Sequence, residues 1–105
     1  MAVINIKSMI EHTLLRPDAT IEDIIHLCGE AEAASLCGVC VHPVYVELAA
    51  NRLRGTGVKV VTVVGFPNGA SLPAVKAMEA RLAVAGHADE VDMVMNIAAA
   101  KNGQW

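Results

Sequence analysis

Residues 58–64 read Val-Lys-Val-Val-Thr-Val-Val, bounded by Gly55-Thr56-Gly57 before and Gly65-Phe66-Pro67-Asn68-Gly69 after. A nearly unbroken β-branched run between turn signals marks a strand buried on both faces, as in a parallel sheet covered by helices. The segments around it alternate in kind. Residues 9–14 form a short extended candidate that ends before Pro17. Thr20 then caps a helix, with Asp23 completing a capping box, and Ile21, Ile24, Ile25, Cys28, Ala31 and Ala34 recur at helical spacing to Ser35. Residues 36–41 form a second strand, stopped at His42-Pro43. Pro43 suits a helix start, and Val44, Val46, Leu48, Ala49 and Leu53 carry that helix to Gly55. A third helix is predicted over residues 71–85, with Pro73 in its first turn and Gly86 beyond its end. Residues 89–97 form a fourth strand, and residues 98–105 begin a further helix.

The order strand-helix, repeated with connections of a few residues, predicts right-handed crossovers and an all-parallel α/β sheet. The length suits one domain, residues 1–105. Four strands fit an open doubly wound sheet or half of a closed barrel, and local pattern leaves both open.

Composition narrows the function classes. The chain is 54% hydrophobic with one Trp, one Tyr and one Phe, which suits a helix-covered parallel sheet and not an aromatic-rich sandwich. The net charge is −3 and the eight Lys and Arg are scattered, so no basic footprint for nucleic acid exists. No run of about 18 apolar residues predicts a membrane span. Lys7 and Glu11 interrupt the first residues, which argues against a signal peptide. Cys37 and Cys40 read as small buried hydrophobes: a zinc site would want a second ligand pair, which Cys28 and His42 do not supply. The odd number of cysteines argues for reduced thiols in a cytoplasmic protein.

Side-chain alternation identifies the polar faces. In the fourth strand Val91, Met93, Met95 and Ile97 share one apolar face, and Glu90, Asp92, Val94 and Asn96 share the other. A carboxylate inside a buried strand is costly unless paired, and polar groups at the C-terminal ends of barrel strands are where active sites are built. By parity alone Asp92 stands equally as a functional or a structural carboxylate. Glu11 and Thr13 share a face of the first strand, and Gly38, Cys40 and His42 a face of the second. In the third strand, Val60/Thr62/Val64 and Val61/Val63 are equally acceptable as the inner set. Asp89 and Glu90 read as solvated charges at the strand's start. His12, His26 and His87 read as surface or packing residues, and His42 is left open.

Five segments in register, "IEHTLLRPDAT", "GVCVHPVYV", "VKVVTVVGFPNGA", "VKAMEA" and "ADEVDMVMNI", resemble the deoxyribose-phosphate aldolases from about Ile10 onward. The resemblance implies the N-terminal half of a TIM (β/α)8 barrel and a class I aldolase. That family cleaves 2-deoxyribose 5-phosphate reversibly to glyceraldehyde 3-phosphate and acetaldehyde, without metal or organic cofactor. A lysine forms a Schiff base, a second lysine lowers its pKa, and an aspartate assists proton transfer. By resemblance Asp92 is that aspartate, Cys40 lines the pocket, and Glu11 and Thr13 lie near substrate. The family usually has Asp where this chain has Glu11.

The resemblance also implies a phosphosugar substrate, a cytoplasmic role in deoxyribonucleotide catabolism, and no nucleic-acid or membrane partner. Both family lysines lie on later strands, the Schiff-base one in a K-T-S-T-G-type segment, and nothing like it occurs here. The chain, with four lysines at Lys7, Lys59, Lys76 and Lys101, is expected to be a truncated aldolase inactive alone. Two other readings stand beside it: a non-catalytic half-barrel acting in self-association or partner binding, and a small open-sheet module binding phosphate at residues 65–69. Two open sheet edges predict a homo-oligomer, one form being a closed sheet in which the first strand of each copy pairs the fourth of the other.

Overall fold

The computed structural model describes residues 5–104. Four strands, β1 (Glu11–Leu14), β2 (Gly38–Val41), β3 (Lys59–Val64) and β4 (Glu90–Met93), alternate with helices α1 (Ile21–Ala33), α2 (Val46–Leu53), α3 (Pro73–Ala85) and α4 (Ile97–Lys101). All adjacent pairs are parallel and the strand order is β1-β2-β3-β4. Sequential order, with helices packed on one side, makes a β/α half-barrel.

The first helix starts as its sequence dictates. Thr20 Oγ1 accepts from the Asp23 amide at 3.1 Å, and an Asp23 carboxylate oxygen accepts from the Thr20 amide at 2.9 Å. Its end falls two residues before Ser35, because Ser35 takes a left-handed φ of 54°. That lets Leu36 N–H reach the Ala31 carbonyl at 2.9 Å and Ser35 N–H the Glu32 carbonyl at 3.1 Å, a Schellman stop built without glycine. The third helix stops the same way, with His87 and not Gly86 left-handed (φ 76°) and Ala88 N–H bonded to the Ala83 carbonyl at 3.0 Å. Pro43 opens a 3-10 turn, Pro43–Tyr45, before α2 begins. The Tyr45 hydroxyl donates to the Ala19 carbonyl at 2.7 Å, tying that turn to the loop before α1.

Register settles the face of the third strand. Val39, Val41 and Val60 pack with Ile24, Leu27, Cys28 and Ala31 of α1 and Val46, Ala49 and Leu53 of α2 in the main core. Val60, Thr62 and Val64 therefore face the helices. Thr62 is fully buried there, its hydroxyl donating to the Val41 carbonyl at 2.6 Å. Val61 and Val63 face the other way and cluster with Cys40 and Leu15.

The fourth strand is shorter than its pattern predicts. Val94 N–H still bonds the Val64 carbonyl at 2.9 Å, but Gly65 then turns away with φ +68°, and β4 has no partner beyond it. Asn96, expected beside Asp92 on the strand, instead caps α4, its Oδ1 accepting from the Ala99 amide at 3.0 Å. Val91 and Met93 take the helix-side parity but remain 38% and 63% exposed, because the short α4 covers little of them.

Candidate functional site

The side of the sheet that no helix covers gathers the residues singled out by parity. Thr13, Cys40, Val61 and Glu90 form one row across the four strands, with Glu11 level with Gly38 and Asp92 level with Val63. Successive rows lie about 6.6 Å apart and adjacent strands about 4.8 Å apart, so Glu11, Thr13, Cys40, Glu90 and Asp92 share one concave surface. Glu11, Thr13, Glu90 and Asp92 are exposed, whereas Cys40 is buried between its neighbours. The valines of this face are not bared: Val61 and Val63 are 1% and 6% exposed, flanked on both sides by other strands.

The charges on this surface act on one another. Burial, then Asp92 and then Glu90 hold the Glu11 carboxyl above its ordinary pKa. Burial, helped by Asp92 and Glu11, pushes the Cys40 thiol up to about 11, so it is overwhelmingly neutral at physiological pH and reacts only through a small thiolate fraction. An acidic surface around a neutral thiol can accept hydrogen bonds and protons and attracts a cation. Among the described residues, no group of three or more His, Cys, Asp or Glu is placed to hold a metal ion.

Other residues find structural places. His42 donates through Nε2 to the Leu15 carbonyl at 2.8 Å and packs edge-on against Phe66, with ring centroids 5.6 Å apart, so it ties loops together. His12 and His26 both reach Glu30 on the helix side, at 3.5 and 3.0 Å. Asp89 is not merely solvated: it accepts from the Val60 amide at 2.8 Å and pins the start of β4 to β3. Glu90, also read as a solvated charge, joins the open face. Lys76, one of the four lysines, is only 9% exposed, and its ammonium donates to the Val94 carbonyl at 2.9 Å. Its spacing from Ala80 and the buried Ala83 carried that signal in the sequence, since 76, 80 and 83 fall on one helix face. An apolar groove of about 820 Å³ lies between α2 and α3, lined by Val46, Val75, Met78 and Leu82, on the far side of the sheet from Asp92.

Over all 105 residues the chain is 48% identical to a deoxyribose-phosphate aldolase of Desulfitobacterium hafniense, of which it spans 48%. It is 54% identical over 101 residues, 96% of the chain, to that of Thermotoga maritima, of which it spans 41%. The chain is homologous to the deoxyribose-phosphate aldolases. It thus spans about half the length of the curated relatives it matches, and corresponds to their N-terminal part. Solved structures of this aldolase family superpose on the same fold. One described as QR15, an aldolase, matches 97% of the chain with a TM-score of 0.91 at 33% identity, using 45% of its own length. The tetrameric deoxyribose phosphate aldolase of Aeropyrum pernix matches 88% of the chain with a TM-score of 0.83 at 35% identity, using 39% of its own length. No protein-family model matches the chain. Among the described residues, no helix of this aldolase homologue is long and apolar enough to cross a membrane.

Proposed function

We propose that this chain is the N-terminal half-barrel of a 2-deoxyribose-5-phosphate aldolase, folded as one domain over residues 1–105 and contributing Asp92 to proton transfer. Glu11, Thr13 and Cys40 line the substrate surface, Cys40 as a neutral wall and Glu11 as an acceptor. The observation that carries the reading is the gathering of these four residues on the uncovered face of a sheet homologous to aldolases that cleave a carbon–carbon bond. The substrate in this reading is a small phosphosugar and the setting is cytoplasmic deoxyribonucleotide catabolism, with neither nucleic acid nor membrane as partner and no cofactor.

Among the described residues, none of the four lysines is placed beside Asp92 to form the Schiff base of such chemistry. Lys7 lies in the 3-10 turn before β1, and Lys101 is exposed in α4. Lys59 starts β3 four residues before Val63, the residue level with Asp92, and about 13 Å from it at 3.3 Å per residue. Lys76 is spent on the Val94 carbonyl. The isolated chain is therefore expected to be inactive. Incubation with acetaldehyde or deoxyribose 5-phosphate, borohydride reduction and intact-mass measurement test this. No stoichiometric adduct is expected, and an adduct mapped to one lysine would overturn the assignment.

A second reading, a non-catalytic half-barrel that self-associates, is favoured by the two terminal strands, β1 and β4, each paired on one side only among the described residues. Self-association and the aldolase reading are compatible, and they are separated by supplying the remaining half-barrel of a relative in trans, which restores turnover only on the aldolase reading.

A further inference from the structure

Helix α3 sends two side chains, one turn apart, to the loops that follow β3 and β4. Glu79 accepts from the Gly65 amide at 2.7 Å, immediately after β3. Lys76 donates to the Val94 carbonyl at 2.9 Å, two residues after Asp92. Val94 is thus held from both sides, since its amide already bonds the Val64 carbonyl at 2.9 Å. The two loops also touch directly. A Cβ on Gly69, whose φ is +68°, would meet the Met95 carbonyl carbon at 2.7 Å and the Val94 oxygen at 2.9 Å.

A buried ammonium is costly unless compensated, and an apolar side chain would fill the same space without that cost. Lys76 has no carboxylate at ion-pair distance among the described residues. Its only hydrogen-bond acceptor there is the Val94 carbonyl. Its stem lies against Gly65 and shares a groove with Met93, which has helix-side parity, so the amine approaches the sheet from behind and cannot serve as the nucleophile.

We infer that Lys76 and Glu79 are positioning residues that fix the C-terminal ends of β3 and β4 against α3, and so set where Asp92 stands on the open face. The inference rests on the aldolase reading only for the importance of Asp92; the tether itself is a property of this chain.

The test uses the whole chain and no turnover, so failure of the aldolase reading is a separate result. Amide hydrogen exchange is measured in the parent and in Lys76→Met, Lys76→Arg, Glu79→Ala and Glu79→Gln. Lys76→Met keeps the stem and removes the donor. It is expected to speed exchange at Val94 by tenfold or more while β1 and β2 stay protected, with Lys76→Arg restoring protection. Glu79→Ala is expected to do the same at Gly65, and Glu79→Gln, which keeps an acceptor, to restore it. A cycle with Asp92→Asn gives the second readout: the change that this substitution causes in Cys40 alkylation rate is expected to be lost in Lys76→Met and kept in Lys76→Arg. Unchanged exchange at Val94 in Lys76→Met, or uniform acceleration across all four strands, would overturn the inference. So would an Asp92→Asn effect that survives Lys76→Met. If Lys76→Met does not fold, the Glu79 pair decides: equal protection of Gly65 in Ala and Gln refutes the tether.

Discussion

Replacing Asp92 by Asn removes one negative charge from the open face and leaves its shape nearly unchanged, so its effect on Cys40 reads the placement of both residues. Cys40 is level with Val61, which is level with Glu90 on β4, two strands away. Two inter-strand steps and one two-residue step along the strand put the Cα atoms of Cys40 and Asp92 about 12 Å apart. At that separation a unit charge contributes about 0.3 to 1.4 kcal/mol for effective dielectric constants between about 80 and 20, or about 0.3 to 1 pKa unit. With Asp92 exposed to solvent, the expected drop in the Cys40 pKa is about half a unit. Burial is the larger cause of the thiol's rise to about 11, so most of the rise remains. At a pH well below the pKa, half a unit raises the thiolate fraction about threefold, and the loss of intrinsic nucleophilicity returns part of that, leaving alkylation about twofold faster. The assay is the alkylation rate of Cys40 in a Cys28→Ala/Cys37→Ala background, at low ionic strength because the Debye length is only about 10 Å at 0.1 M salt. No change in Asp92→Asn, alongside a clear change in Glu11→Gln, would place Asp92 on the helix side and refute the register. A fall of the thiol to its ordinary value would refute burial as the main cause.

The unpaired edges of β1 and β4 are expected to drive association, so light scattering on dilute protein should show a species heavier than the 11.0 kDa chain; a stable monomer at micromolar concentration would refute it. Thr20→Ala removes the α1 cap and is expected to cost about 1 kcal/mol, read as a lower denaturant midpoint at unchanged slope. Glu11 has a folded pKa above its usual 4.5, so its favourable contribution is full below that value and is lost as pH rises through the folded pKa. Glu11→Gln should therefore stabilise the chain by about a few tenths of a kcal/mol at neutral pH and not in acid, as measured by denaturation at both, and an equal gain in acid would refute the charge argument.

Much of this protein is determined locally. The run at residues 58–64, the Thr20 capping box and the prolines at 43 and 73 each make one conformation cheap for a short stretch of chain, and strand and helix order follow from them. Parity did the same for the site: two-residue periodicity forces Glu11 with Thr13, and Glu90 with Asp92, onto common faces whatever the strands pack against. Three things needed the tertiary structure. The helix-facing side of β3 is ambiguous in sequence because valine and threonine suit either face; α1 and α2 chose Val60, Thr62 and Val64. The end of β4 is set by its neighbour, since the alternation through Met95 and Ile97 continues after Gly65 has withdrawn the partner strand. Lys76 shares a helix face with Ala80 and Ala83 in the sequence, but its partner is decided only when the loop after β4 is brought behind it. A carbonyl 18 residues away gives that ammonium its partner, and hydrogen bonds over such separations exist only once the chain has folded.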